Sequence, residues 1–147
     1  MSKEVKIGII GTGVGIRTHL KGFRGIEGCK VLAITGSSKA RSEEFAEKYD
    51  IPLACADYKE LCDLEEIDLV CVCSPNKYHF ETVKYAMAKG KNVICEKPVS
   101  HITEEVNRLS LIPTKTGTFV YVDHQLRFNP YMRKIKEIIQ NDTLGHI

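Results

Sequence analysis

Residues Gly11, Thr12, Gly13, Val14, Gly15, Ile16 and Arg17 follow a short apolar run and open a stretch with helical spacing. Glycine at position 11 permits a tight turn, and glycine at 13 lets the backbone approach a bulky anion closely. A helix starting there offers that anion free N–H groups and a partial positive charge. The spacing fits the first two positions of the G-x-G-x-x-G pattern that cradles a dinucleotide pyrophosphate. The third position holds Ile16, where a small residue normally allows tight helix–strand packing. Ile16 is therefore expected to push the helix outward, and Gly15, one residue early, to relieve the crowding. A glycine-rich turn that holds no ligand has the same local signature.

A second group of residues lies about 20 positions further on, where a site for an unphosphorylated ribose would carry Asp or Glu at a strand end. Here the stretch is ITGSSKAR, with Ser37, Ser38, Lys39 and Arg41 and no acid. Hydroxyls and cations suit a 2′-phosphate, which a carboxylate would repel, so NADP is favoured over NAD. Ser37 or Ser38 could also cap the following helix with Lys39 and Arg41 solvated, and the two roles are compatible.

The third group is VICEKPVS, residues 93–100. An apolar strand tail meets the charges of Glu96 and Lys97, and Pro98, which cannot donate to a ladder, ends the strand. Successive strand side chains point to opposite faces, so Glu96 and Lys97 need not pair with each other. Strand ends are where α/β proteins bind ligands. A solvated turn is the plain alternative.

The elements that must position these residues alternate along the chain. Strand-like runs cover 5–10, 29–36, 52–56, 67–74, 92–97 and 117–123. Helical patterns cover 15–23, 39–49, 57–62, 77–90, 100–111 and 129–142. Asp57 reads as a helix cap, Gly90 as a C-terminal stop, Pro113 as a terminator and Pro130 as a first-turn residue. The run at 67–74 does not alternate, as expected when both faces are buried. Strands separated by helices, with no hairpin turns, predict an α/β fold with a Rossmann-type doubly wound parallel sheet.

Composition sets the outer limits. At 147 residues, with 43% hydrophobic and 27% charged content, the chain suits one globular domain with a real core. The net charge of +2 comes with no dense Lys/Arg run, so nucleic acid is not an expected partner. No apolar run suits a membrane span and the N-terminus has no signal-peptide pattern, so the sequence reads as cytoplasmic. The six cysteines include no C-x-x-C pair and no zinc-like spacing, so reduced thiols and no metal site are expected. Cys71 and Cys73 would share a strand face with side chains ~7 Å apart, too far for an easy disulfide.

The segments GIIGTGVGIRTHLKGF, VCSPNKYHFETVKYAMAKGKNVICEKPVS and HQLRFNP together resemble the N-terminal domain of the Gfo/Idh/MocA oxidoreductases, over nearly the whole chain. The most specific part is Pro75-Asn76-x-x-His79 followed by Glu96-Lys97-Pro98. The resemblance implies that Lys97 is the catalytic residue, lying beside the nicotinamide and the substrate hydroxyl. A lysine there would be partly desolvated, which favours its neutral form and suits proton shuttling. It also raises the expectation of a cis Lys97–Pro98 bond. It places Ser74, Pro75 and Asn76 along the ribose–nicotinamide side and Arg127 near the cofactor end of the cleft. Glu96 is counted with Lys97 among the cofactor-binding residues, since on opposite faces of the strand one can face the cofactor while the other supports it. His79 is expected to support its loop, and His124 to be structural.

By the same resemblance, residues 1–123 form the NAD(P)-binding domain. Residues 124–147 form a connecting segment and helix leading to a C-terminal substrate domain that this chain lacks. The implied activity is NAD(P)-dependent oxidation or reduction at the CH–OH group of a small-molecule sugar or polyol, with this chain alone expected to be inactive. Surface that the second domain would cover could drive homo-oligomer formation. A non-catalytic dinucleotide sensor or interaction module is the alternative from another class. An S-adenosylmethionine domain is the third reading and leaves the Glu-Lys-Pro segment without a role.

Overall fold

A computed structural model of the chain describes residues 4–112, 116–142, 144 and 145. Its centre is a six-stranded sheet: β1 (Val5–Ile10), β2 (Cys29–Thr35), β3 (Leu53–Cys55), β4 (Leu69–Val72), β5 (Asn92–Glu96) and β6 (Val120–Asp123). All neighbours are parallel and the spatial order is β3-β2-β1-β4-β5-β6. The helices are α1 (Val14–Arg24), α2 (Lys39–Lys48), α3 (Tyr58–Asp63), α4 (His79–Ala88), α5 (Thr103–Ser110) and α6 (Pro130–Gln140). The expected doubly wound α/β class is therefore the observed one.

The pleat sorts the core into two layers. Ile7, Ile9 and Cys71 face one side and pack with Ile16, Leu20 and Phe23 of α1 and Phe45 of α2. Ile10, Val70 and Val72 face the other side, with Leu61 of α3, Val83 and Met87 of α4 and Leu109 of α5. The central strands β1 and β4 bury both faces, which is why β4 shows no polar alternation. Gly8 gives room for this packing, since a Cβ there would lie 2.5 Å from Leu61 Cδ2.

Local sequence sets most of the ends. Asp57 Oδ1 accepts from the Lys59 and Glu60 N–H groups at 2.8 and 3.0 Å, capping α3. Asn129 caps α6, with Pro130 in its first turn. Gly90 follows α4 with φ +76°, the left-handed conformation that ends helices. Strand β4 is shorter than the run at 67–74. Cys73 lies just beyond it but still donates its N–H to Ile10 O at 2.7 Å. Pro113 lies outside the described residues. Helix α6 leaves Met132, Ile135 and Ile139 each 48% exposed. Among the described residues, no helix is long and apolar enough to cross a membrane.

The chain winds from β1 outward to β3 and then returns to β4 on the other side of β1. Side chains and loops leaving β1 and β4 at their carboxyl ends therefore diverge, opening a cleft there.

Candidate functional site

The cleft has two lobes that meet at Cys73 and Ser74. Gly11, Gly13, Gly36, Ser37, Arg41 and Pro75 border the first lobe. Gly11 has φ +118°, and a Cβ there would sit 2.6 Å from the Cys73 carbonyl group, so the β1 turn passes directly against the β4 exit. At Gly13 an added Cβ would meet nothing within 4 Å. Gly13 is also the N-cap of α1, with no side-chain cap and no acid in the first turn, so the helix N–H groups face the cleft uncontested. Thr35 Oγ1 and Ser74 Oγ are buried hydroxyls without a partner, and both border this lobe. Buried polar atoms are ordinarily satisfied, so these fit a ligand rich in oxygen acceptors, as a dinucleotide is.

The end of β2 carries the residues expected to meet a 2′-phosphate. Ser37 and Arg41 border the lobe, and no carboxylate occupies this strand end. Arg41 stacks over Phe45 at 4.2 Å and pairs with Glu44 at 2.8 Å on its exposed side. Ser38 is turned away, and its Oγ accepts from the Arg41 N–H at 3.2 Å to cap α2. Capping and cleft-lining thus fall to neighbouring serines.

The second lobe is built by one pleat phase. Cys73 follows Cys71, Glu96 follows Ile94 and Asp123 follows Tyr121 at the two-residue spacing that keeps side chains on one face. That face is the one covered by α1, which adds Gly15 and His19 one helical turn apart. His19 Nε2 lies 3.1 Å from Glu96 Oε1 and 3.7 Å from Asp123 Oδ2. The Cys71 and Cys73 sulfurs and a His19 ring nitrogen lie within 4.8 Å of one another. The adjacent Cys73 thiol, with Glu96 and Asp123, raises the His19 pKa to about 9 against the opposition of burial. Hydrogen bonding from Cys71, then from His19, lowers the Cys73 pKa to about 6. The hydrogen bond to Cys73, then burial and the Cys73 charge, hold the Cys71 thiol well above its usual range. The Cys95 thiol on the far face of β5 is pushed up to about 12, mainly by burial. These shifts favour a Cys73 thiolate between a Cys71 S–H donor and a His19 imidazolium.

Lys97 borders the same lobe and is exposed in this chain, whereas partial desolvation was expected. Glu96 supports His19 and does not pair with Lys97. The Lys97–Pro98 bond is cis. His79 is fully buried, with its ring nitrogens 2.8 Å from Pro98 O and 2.7 Å from Ser74 O. It ties the Ser74-Pro75-Asn76 loop to the Lys97–Pro98 turn. That is a supporting position, since the ring does not reach the cleft.

Several expectations need correction. Ile16 does not displace α1 and does not border the cleft: it is fully buried among Ile7, Ile9 and Leu20. Gly15 supplies the close approach instead, since a Cβ there would sit 3.0 Å from Cys73 Cβ. Arg17, next along the helix, is exposed on the outer side of α1 beside Lys21 and Arg24. Helical periodicity separates these two residues from Gly15 and His19. Arg127 is exposed in a 3-10 turn, Gln125–Phe128, and Gln125 rather than Arg127 borders the second lobe. The Val14 side chain lies outside the described set. The Cys71 and Cys73 sulfurs are 3.5 Å apart rather than ~7 Å. Strand rise sets the Cα spacing, but the two thiols lean together to share a hydrogen. His19 and Asp123 were not singled out from sequence, and Cys73 figured there only as a partner of Cys71, with no place in the site. The available signal was Gly15-x-x-x-His19, one turn apart on a single helix face.

Comparison with known proteins agrees with this geometry. Residues 5–124 match the Gfo/Idh/MocA model, described as an oxidoreductase family with an NAD-binding Rossmann fold. The oxidoreductase YrbE of Bacillus subtilis is 32% identical over 145 residues, 99% of this chain and 42% of its own length. The myo-inositol 2-dehydrogenase of Thermotoga maritima is 30% identical over 141 residues, 96% of this chain and 42% of its own. The crystal structure of a probable dehydrogenase from Thermotoga maritima superposes with a TM-score of 0.85 at 30% identity, covering 96% of this chain and 42% of that one. The chain thus spans about two fifths of the length of these relatives. A parallel sheet wound in this order, with a glycine turn at its switch point, is what the matched region describes, and the chain belongs to the Gfo/Idh/MocA oxidoreductase family through its NAD-binding Rossmann domain.

Proposed function

We propose that this chain is the dinucleotide-binding half of an NADP-preferring oxidoreductase that acts on the CH–OH group of a sugar, polyol or related small molecule. The observation that carries the cofactor preference is the end of β2, where Ser37 and Arg41 border the cleft and the strand end itself carries no carboxylate; Asp57 and Glu81, which also border this lobe, come from the β3 exit and from α4. Polyol chemistry is supported by the relative from Thermotoga maritima, whose name is myo-inositol 2-dehydrogenase.

The bound cofactor would supply the hydride acceptor or donor. This chain's residues would do the rest. The α1 N-terminus and the Gly11–Gly13 turn bind the pyrophosphate, and Arg41 with Ser37 holds the 2′-phosphate. The Thr35 and Ser74 hydroxyls donate to ligand oxygens. Lys97, at the open edge of the second lobe, orients the substrate hydroxyl and moves its proton. A covering surface from the rest of the enzyme would desolvate Lys97 and exclude water.

The test is a thermal-shift titration with NADP⁺ and NAD⁺ side by side, on the native chain and on Arg41→Ala. A ligand that binds only the folded state at a hundredfold excess over Kd adds about 2.7 kcal/mol. The native chain should respond more strongly to NADP⁺, and Arg41→Ala should lose that advantage while keeping its NAD⁺ response. A native chain that responds more strongly to NAD⁺ would overturn the 2′-phosphate assignment.

A further inference from the structure

We infer that Cys73 is a modification site for low-molecular-weight disulfides and soft electrophiles, and that modifier and dinucleotide compete for the floor of the same cleft. Competition rests on the dinucleotide reading above; the reactivity of Cys73 does not.

Cys73 is the point where the two lobes join, and it borders both. Its sulfur is 3.5 Å from Cys71 Sγ, and a His19 ring nitrogen lies within 4.8 Å of both sulfurs. His19 is itself held by Glu96 and faces Asp123. The imidazole is therefore anchored by its carboxylates with a ring nitrogen close to the Cys73 sulfur. Cys71 is fully buried and serves as an S–H donor, not as a second exposed nucleophile. Gly15 lets α1 close against Cys73, where an added Cβ would sit 3.0 Å from Cys73 Cβ, and brings His19 into reach one turn later. Reactive cysteines occupy such cationic, partly accessible surroundings, whereas buried structural cysteines are inert.

With a disulfide R–S–S–R, the Cys73 thiolate attacks one reagent sulfur. A Cys73–S–S–R bond forms, the reagent S–S bond breaks, and its electron pair leaves on the second sulfur as R–S⁻, which takes a proton from solvent. Cys73 is oxidised and the departing sulfur is reduced, as in ordinary thiol–disulfide exchange. The adduct would stand beside Gly11 and Ser74, where the ligand backbone must cross. A small thiol would reverse it.

The experiment uses the native chain without dinucleotide, limiting iodoacetamide or oxidised glutathione, and peptide mapping by mass spectrometry over a pH series. Cys73 should be labelled ahead of the half-buried Cys29, with a rate midpoint near pH 6. Cys71→Ala should move that midpoint upward. NADP⁺ or NAD⁺ should slow the reaction at concentrations that raise the melting temperature. Labelling of Cys73 no faster than Cys29, or a rate that rises only as an ordinary thiol ionises (about pH 8.5), would overturn the assignment. Fast labelling that persists while dinucleotide raises the melting temperature would overturn the competition. A chain that neither dinucleotide stabilises would instead count against the dinucleotide reading, so the two failures are separable.

Discussion

Substituting alanine for Gly13 should separate ligand binding from folding. A Cβ there would meet nothing within 4 Å, and φ is −83°, so neither a clash nor left-handed strain arises. The folding cost is the poorer N-cap preference of alanine, about 1 kcal/mol or less. For a chain of this size that is a fall of about 2–4 °C in Tm. The new methyl group would, however, occupy the space in front of the α1 N-terminus, where the pyrophosphate is placed. Displacing it should weaken NADP⁺ at least tenfold, or about 1.4 kcal/mol. Gly11→Ala provides the contrast. Its φ of +118° and contacts of 2.6 Å to Cys73 and 2.8 Å to Ser74 N involve backbone that cannot rotate away. Left-handed strain alone costs about 1–3 kcal/mol, and the clash adds to it, so Tm should fall by about 6–12 °C. Differential scanning fluorimetry and isothermal titration calorimetry on both variants read the two quantities independently. If Gly13→Ala binds NADP⁺ with native affinity, the dinucleotide does not cross Gly13 and the cleft assignment is refuted.

Two further predictions concern the supports of the site. His79→Ala should cost about 2–5 kcal/mol, because it opens a cavity and strips the part-buried carbonyl oxygens of Ser74 and Pro98 of their ring contacts, and chemical denaturation would measure it. The second prediction concerns pH. Between about pH 6.5 and 9, native His19 and Cys73 together hold one proton, on the imidazole, and the unfolded pair also holds one, on the thiol. Their contributions cancel, and this pair should leave the native melting temperature level across that window. In Cys73→Ser, His19 loses the largest cause of its raised pKa, but Glu96 and Asp123 still favour its charged form against burial, and a smaller upward shift is the expected outcome. Its stabilisation is complete below 6.5 and is lost as pH rises, so the variant's Tm should decline with pH relative to the native chain. In His19→Asn, Cys73 keeps its Cys71 donor and a lowered pKa, and Tm should climb with pH instead. Equal slopes in the two variants would show that the residues do not share a proton.

The fold was legible because its determinants are local or periodic. Buried parallel strands read as continuous apolar runs, and Asp57, Gly90 and Asn129-Pro130 mark element ends within a few residues of themselves. The glycine turn was legible for the same reason, since turn and helix start are adjacent in sequence. Ile16 and Arg17 were grouped with it by motif position, yet the period of α1 directs them to the core and to the outer surface. The second lobe was not legible. His19 meets Glu96 across 77 positions, and only the completed sheet places them together. Cys71 and Cys73 were visible as a pair, but backbone rise does not record the rotamers that bring the sulfurs together.

The single pleat phase shared by Cys73, Glu96 and Asp123 makes the second lobe sensitive to reading frame in a way the loops are not. Glu96 and Asp123 are register partners, and each strand writes one letter of the lobe. Deleting one residue within β5 would bring Lys97 to the position Glu96 holds and set a cation against the His19 imidazolium, without altering the letters supplied by β4 and β6. Lengthening a connecting loop would leave the word intact. Variation among proteins built on this sheet can therefore swap the acid, base or sulfur at one strand exit at a time, provided that every insertion falls between strands and none within them.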